Sequence, residues 1–153
     1  MGNTSETVFV QSVFDRLREE VDWPTTRTAS LRHLKESIRR DIEDLLNTRQ
    51  PPIPEIGGYP LASVSVFNMG LQDLSQLGSS ANERLDDIQR AVQRCIETFE
   101  PRLQNISVAV KNASTPRREI RLNIEATIQV QPAAEAVSFD TMLDLTSGMY
   151  SVG

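Results

Sequence analysis

A chain of 153 residues is the size of one ordinary domain. With 39% apolar and 24% charged residues it can bury a modest core, which sets it apart from a disordered tail. The formal charge of -5 argues against a dedicated nucleic-acid binder, which needs a basic face to displace phosphate counterions. Lys35 and Lys111 are the only lysines, so fourteen of the sixteen basic residues are arginine. A planar guanidinium grips carboxylates and carbonyls in paired bonds, a bias that suits contacts between proteins. No apolar run approaches the roughly 20 residues of a bilayer span, and no basic segment followed by an apolar stretch opens the chain. These features predict a soluble, cytoplasmic protein without membrane insertion, and the single Cys95 fits a reducing compartment.

Residues 1–12 read as a polar, flexible start, followed by one domain over 13–153. Val13, Phe14, Leu17 and Val21 recur at helical spacing and predict a short amphipathic docking helix ending before Trp23-Pro24. A longer helix follows, with Ser30 as N-cap and Leu31, Leu34, Ile38, Ile42, Leu45 and Leu46 on one stripe. It closes at Arg49, because QPPIPEIGGYP holds four prolines and two glycines. The stretch LASVSVFNMGLQDL fits either an extended segment or a helical turn through Leu71, Leu74 and Leu77. Ser80-Ala81-Asn82-Glu83 has the form of a capping box and opens another helix, whose inward stripe is Leu85, Ile88, Val92, Cys95, Ile96 and Phe99.

In the C-terminal third the period changes to two, the mark of strands with one buried face. Ile106, Val108 and Val110 form one such run, and Ile120, Leu122, Ile124, Ala126, Ile128 and Val130 a second. Phe139, Thr141, Leu143 and Leu145 form the third. The connections NASTPRR and QPAAEAV are too short for parallel crossovers, so the strands predict an antiparallel meander of three. Helices packed on one face of that sheet give an α+β domain, with the first and third strands as edges.

Enzyme chemistry finds little to work with. The one histidine, His33, lies beside its helix's apolar stripe and reads as surface. Cys95 lies on an inward stripe and reads as core packing. One His and one Cys make no zinc signature, and there is no nucleophile elbow, phosphate loop or dinucleotide fingerprint. Gly57-Gly58 reads as a turn, and Asp41, Glu43, Asp44, Asp86 and Asp87 are spaced like solvated helix faces. The sequence therefore predicts no catalytic residue, cofactor or metal.

One segment stands out. Pro101 disfavours helical geometry at Glu100, so the helix should stop after Phe99 and place Glu100 and Arg102 at a bend anchored by Phe99 and Leu103. Such a pair can grip a partner, or it can simply pair with itself as a helix stop.

Glu100-Pro101-Arg102 after a helix resembles the Glu-Pro-Arg signature of the family joining phage contractile-tail wedge proteins and the TssE baseplate subunits of type VI secretion. The stretch from Ser37 to Arg49 resembles the family's first-helix pattern, the stretch from Phe139 to Gly148 its last strand and exit, and VFDRL also fits. The likeness runs over residues 13 to 152. One departure falls at Asn68-Met69-Gly70-Leu71-Gln72-Asp73, where the family reads Asn-Tyr-Gly-Leu-Pro-Asp, so a stiffening proline is missing.

The resemblance implies a structural subunit of a cytoplasmic baseplate complex near the inner membrane. In that role Glu100, Pro101 and Arg102 bind partners, holding a helical bundle of larger wedge subunits. The implied partners are the wedge subunits TssF, TssG and TssK and the sheath subunits TssB and TssC. The sheet would accept sheath strands, because open strand edges template strand addition. Alternatives within the resemblance are a phage-tail wedge protein, an anti-adaptor regulator of the same fold family and, more remotely, a lysozyme-like hydrolase.

Overall fold

The computed structural model describes residues 9, 13–17, 24–72, 81–114, 118–131 and 133–153. Apart from Phe9, the expected flexible start over 1–12 falls outside them, as do Val21, Trp23, Leu74, Leu77 and Ser80 of the capping box. The described elements are helices α1 (Val13–Leu17), α2 (Arg27–Asn47), α3 (Pro60–Ser63) and α4 (Ala81–Phe99), then strands β1 (Leu103–Ser114), β2 (Glu119–Ile128), β3 (Glu135–Asp144) and β4 (Met149–Val152). The chain divides into two compact units, residues 1–41 and 42–153, with α2 running from the first into the second.

In the first unit, Asp15 of α1 accepts a hydrogen bond from Nη2 of Arg40 at 2.5 Å. Helix α2 starts four residues earlier than the sequence suggested. Thr26 is the residue whose hydroxyl caps it, accepting from the Ala29 N–H at 3.2 Å, while its carbonyl takes the first helical bond from the Ser30 N–H. Ser30 therefore lies inside the helix, where its hydroxyl donates to the Arg27 carbonyl and accepts from the Phe9 N–H. A hydroxyl one turn upstream competed for the cap and won.

In the second unit the sheet is an antiparallel meander in the order β1-β2-β3-β4. The α+β class with helices and a C-terminal antiparallel sheet is as predicted, but the sheet has four strands rather than three. The extra strand, β4, is four residues long and pairs with Thr141–Asp144 of β3. A segment that short carries almost no alternation to read. The edges are consequently β1 and β4, not the first and third strands. Leu145, expected on the inner face, is 39% exposed, because the chain leaves β3 at Asp144.

The inner face of the sheet buries Leu103, Ile106 and Val108 of β1, the alternating apolar run of β2 from Ile120 to Ile128, Phe139 and Leu143 of β3, and Tyr150 and Val152 of β4. Leu103 and Ile106 both point inward although they are three apart. Between Gln104 and Ser107 the register slips, with Asn105 at φ 52°, and this bulge turns the strand over by one residue. Helix α4 packs on β1. Its Ile88, Val92, Cys95 and Ile96 are buried, as are Ile42, Leu45 and Leu46 of α2, each large aliphatic side chain contributing about 1.5–3 kcal/mol by leaving water.

The described residues 61–72 of the ambiguous stretch form no strand, and the helical turn expected through Leu71, Leu74 and Leu77 falls, after Leu71, outside the described residues. Those residues hold most of α3 and the 3-10 turn Val66–Asn68, and another 3-10 turn, Ile56–Gly58, lies before them in the proline-rich segment. Gly70 follows at φ 102°, and a Cβ there would sit 2.3 Å from the Thr48 carbonyl oxygen. That close approach lets the Leu71 N–H donate to the Thr48 carbonyl and the Gln50 N–H to the Leu71 carbonyl. Gln72, in the place of the family's proline, is exposed.

Candidate docking site

Helix α4 stops at Phe99, as Pro101 dictates. The Glu100 N–H still donates to the Ile96 carbonyl at 2.9 Å, and the Glu100 carbonyl accepts from the Leu103 N–H at 3.1 Å. Glu100 to Leu103 is thus a four-residue turn with proline in its second place, where a fixed φ is already correct. The turn hands the chain directly from α4 to β1. Leu103 is buried and Phe99 half-buried, so both ends of the corner are anchored.

The two charges meet across this turn. Arg102 Nε donates to Oε1 of Glu100 at 2.6 Å and Nη2 donates to Oε2 at 2.5 Å, a two-point fork. The Arg102 backbone N–H also points at Oε1, at 3.3 Å. Side-chain exposure is 6% for Glu100 and 32% for Arg102, while Pro101 is exposed. Glu100 is therefore spent inside the chain, holding the guanidinium plane in place. Solvent meets Pro101 and part of Arg102, so the corner presents a proline ring and a fixed cation rather than two outstretched charges.

Sequence reasoning passed over a second set of residues, which tie the end of α2 to the C-terminal hairpin. The Asn47 amide donates to the Tyr150 carbonyl at 2.9 Å and accepts from the Tyr150 N–H at 2.8 Å, imitating a strand neighbour. Arg49 Nη2 donates to the Gly148 carbonyl at 2.7 Å. Gly148 has φ 69° and ends a turn that Asp144 organises by accepting from the Thr146 N–H and the Ser147 hydroxyl. These bonds hold the Asp144 carboxyl below its ordinary pKa. The signal was present: the two family-like stretches end at Arg49 and Gly148, which the fold brings together.

The sheet edges differ in what they offer. Strand β1 is twelve residues long and pairs only with β2 among the described residues. Strand β4 lines β3 only over Thr141–Asp144, and the Asp140–Gly153 backbone bonds extend that by one position. Beyond it, Glu135–Phe139 of β3 has a strand on the β2 side alone among the described residues.

His33 is exposed, and Cys95 is buried, its thiol pushed up to about 11 by desolvation. Among the described residues no group of three or more His, Cys, Asp or Glu side chains could hold a metal ion, and no helix is long and apolar enough to cross a membrane.

No curated protein matches the chain. The family described as baseplate wedge protein gp25, a family of structural baseplate proteins, matches residues 32–133, well over half of the chain. The matched region runs through most of α2, α3, α4 and the Glu100–Arg102 corner to the end of β2. The chain belongs to the baseplate wedge protein gp25 family.

Proposed function

We propose that this protein is the TssE-type baseplate subunit of a type VI secretion system, working in the cytoplasm in a complex near the inner membrane and without catalysis. Glu100, Pro101 and Arg102 form its docking element for the larger wedge subunits TssF, TssG and TssK. The observation that carries this reading is the corner itself. A buried Glu100 fixes a half-buried Arg102 in a proline turn at the mouth of the sheet, inside the family-matched region.

The division of labour follows from that geometry. Glu100 positions, and Arg102 contacts, offering donors to backbone carbonyls or a carboxylate on the partner. Because the turn is covalently short and both flanks are anchored, little side-chain entropy remains to be lost on binding. The open side of β1 and the uncovered stretch of β3 are the places where a strand of TssB or TssC can continue the sheet and set the register of the first sheath ring. Residues 13–153 act together as one baseplate module in this reading.

The test is sheath assembly in cells. With Glu100→Ala/Arg102→Ala in place of the wild-type chain, fluorescently tagged sheath should fail to polymerise while the protein accumulates normally. Normal sheath tubes in those cells would refute the docking role. The second reading, a wedge protein of a phage tail or phage-derived particle, is favoured by the phage-type family that matches. Flanking tail-fibre and capsid genes would support it, and flanking secretion genes would remove it.

A further inference from the structure

Residues 50–72 are unlike the rest of the described surface. Ile53, Tyr59, Leu61, Val64, Val66 and Phe67 are between 40% and 86% exposed, and Glu55 is the only charged residue in the segment. Single exposed apolar residues are ordinary, but six within fifteen positions form a ridge of the kind that marks a contact. The ridge is also held in shape. Asn68 donates to the Ser63 carbonyl at 2.8 Å, Gln50 donates to the Asn68 side chain, and the Ser65 hydroxyl accepts from the Phe67 N–H at 3.3 Å.

Beside the ridge lies a cleft of about 290 Å³, walled by Ser63 and Asn68 on one side and by Arg94 and Phe99 of α4 on the other, over buried Leu71 and Cys95. Arg94 is exposed, and among the described residues its side chain makes one bond, from Nε to the Arg90 carbonyl at 3.3 Å. No carboxylate takes its remaining guanidinium donors among the described residues. Phe99, the last lining residue of the cleft in sequence, directly precedes Glu100 of the proline corner.

We propose that ridge and cleft are a second docking surface of the corner, for an amphipathic helix of a partner wedge subunit that carries an acidic residue beside its apolar stripe. The chemistry selects this occupant. The uncharged ridge takes the stripe, the cleft takes one projecting side chain, and the unspent Arg94 donors take the acid. A helix fits better than a strand because the ridge is made of short helical turns, which offer no ladder to extend, and a helix satisfies its own backbone. The inference rests on the wedge reading above and adds a surface to it.

The experiment titrates the full chain into purified TssF–TssG complex, comparing Leu61→Glu, Phe67→Glu and Arg94→Glu with Glu100→Ala/Arg102→Ala, each checked by circular dichroism to be folded at the assay temperature. All three ridge and cleft residues are exposed, so these variants should fold. Leu61→Glu and Phe67→Glu should weaken binding by about 30-fold or more, and Arg94→Glu by about 10-fold, as for central and charged hot-spot positions. A photo-crosslinker at Leu61 should mark one helix of the complex, and changing that helix's nearby acid to lysine should restore binding to Arg94→Glu. If the corner variant loses binding while the ridge variants keep it, this inference fails and the wedge reading stands. If all variants bind like wild type, both fail. Crosslinks joining two copies of this chain would also overturn it.

Discussion

Removing Arg102 should harm the fold more than removing Glu100, and more than removing both. With Arg102→Ala, a carboxylate whose side chain is 6% exposed keeps only the weak backbone contact from residue 102. Breaking a buried pair costs about 3–5 kcal/mol, but Arg102 is nearly a third exposed and its loss lets water in, so about 2–3 kcal/mol is the reasonable figure here. With Glu100→Ala the guanidinium can turn to solvent, at about 1 kcal/mol, and the double variant strands no charge and should also cost about 1 kcal/mol. The coupling is therefore about 2–3 kcal/mol, and Arg102→Ala should be about 1–2 kcal/mol less stable than the double variant, which in a protein of this size is about 2–8 °C in melting temperature. Urea unfolding followed by circular dichroism on the four proteins measures it. Additive losses, or an Arg102→Ala variant as stable as Glu100→Ala, would refute the view that Glu100 is a buried anchor for Arg102.

Three further outcomes follow from local geometry. Gly70→Ala should cost more than about 2 kcal/mol, because the new Cβ collides with the Thr48 carbonyl at a left-handed φ, whereas Gly57→Ala, in open space, should change urea stability by less than about 1 kcal/mol. The Cys95 thiol is raised from an ordinary value near 9.0 to about 11, so its contribution is intact below pH 9 and is lost as pH rises toward 11, while the unfolded chain ionises first. Relative to Cys95→Val, wild-type stability should fall by about 2 kcal/mol between pH 9 and 11, and equal slopes would disprove the burial. Tyr150 is buried and its hydroxyl has no partner among the described residues, so Tyr150→Phe should leave the melting temperature unchanged or raise it; a loss above about 1 kcal/mol would reveal a hydrogen bond.

Periodicity was legible wherever one face is buried over several turns or pleats. The stripe of α4 and the alternation of β2 told helix from strand because burial repeats long enough to be counted. The helix stop at Phe99 was legible because proline acts on its immediate neighbour. What stayed hidden depends on contacts distant in sequence: β4 exists because Asn47, about a hundred residues away, completes its backbone bonding. The cap at Thr26 was a local competition between two hydroxyls, settled by where the chain enters the helix. At the corner, residue identity was readable and orientation was not, since nothing in a tripeptide says that its acid turns inward to hold its base.

Isothermal titration of the wild-type chain and of Glu100→Ala/Arg102→Ala into purified TssF–TssG complex addresses the docking role most directly. A loss of affinity of about 100-fold or more, with the circular dichroism spectrum and melting curve near wild type, is the predicted result. A dissociation constant equal to wild type in a folded double variant would contradict it.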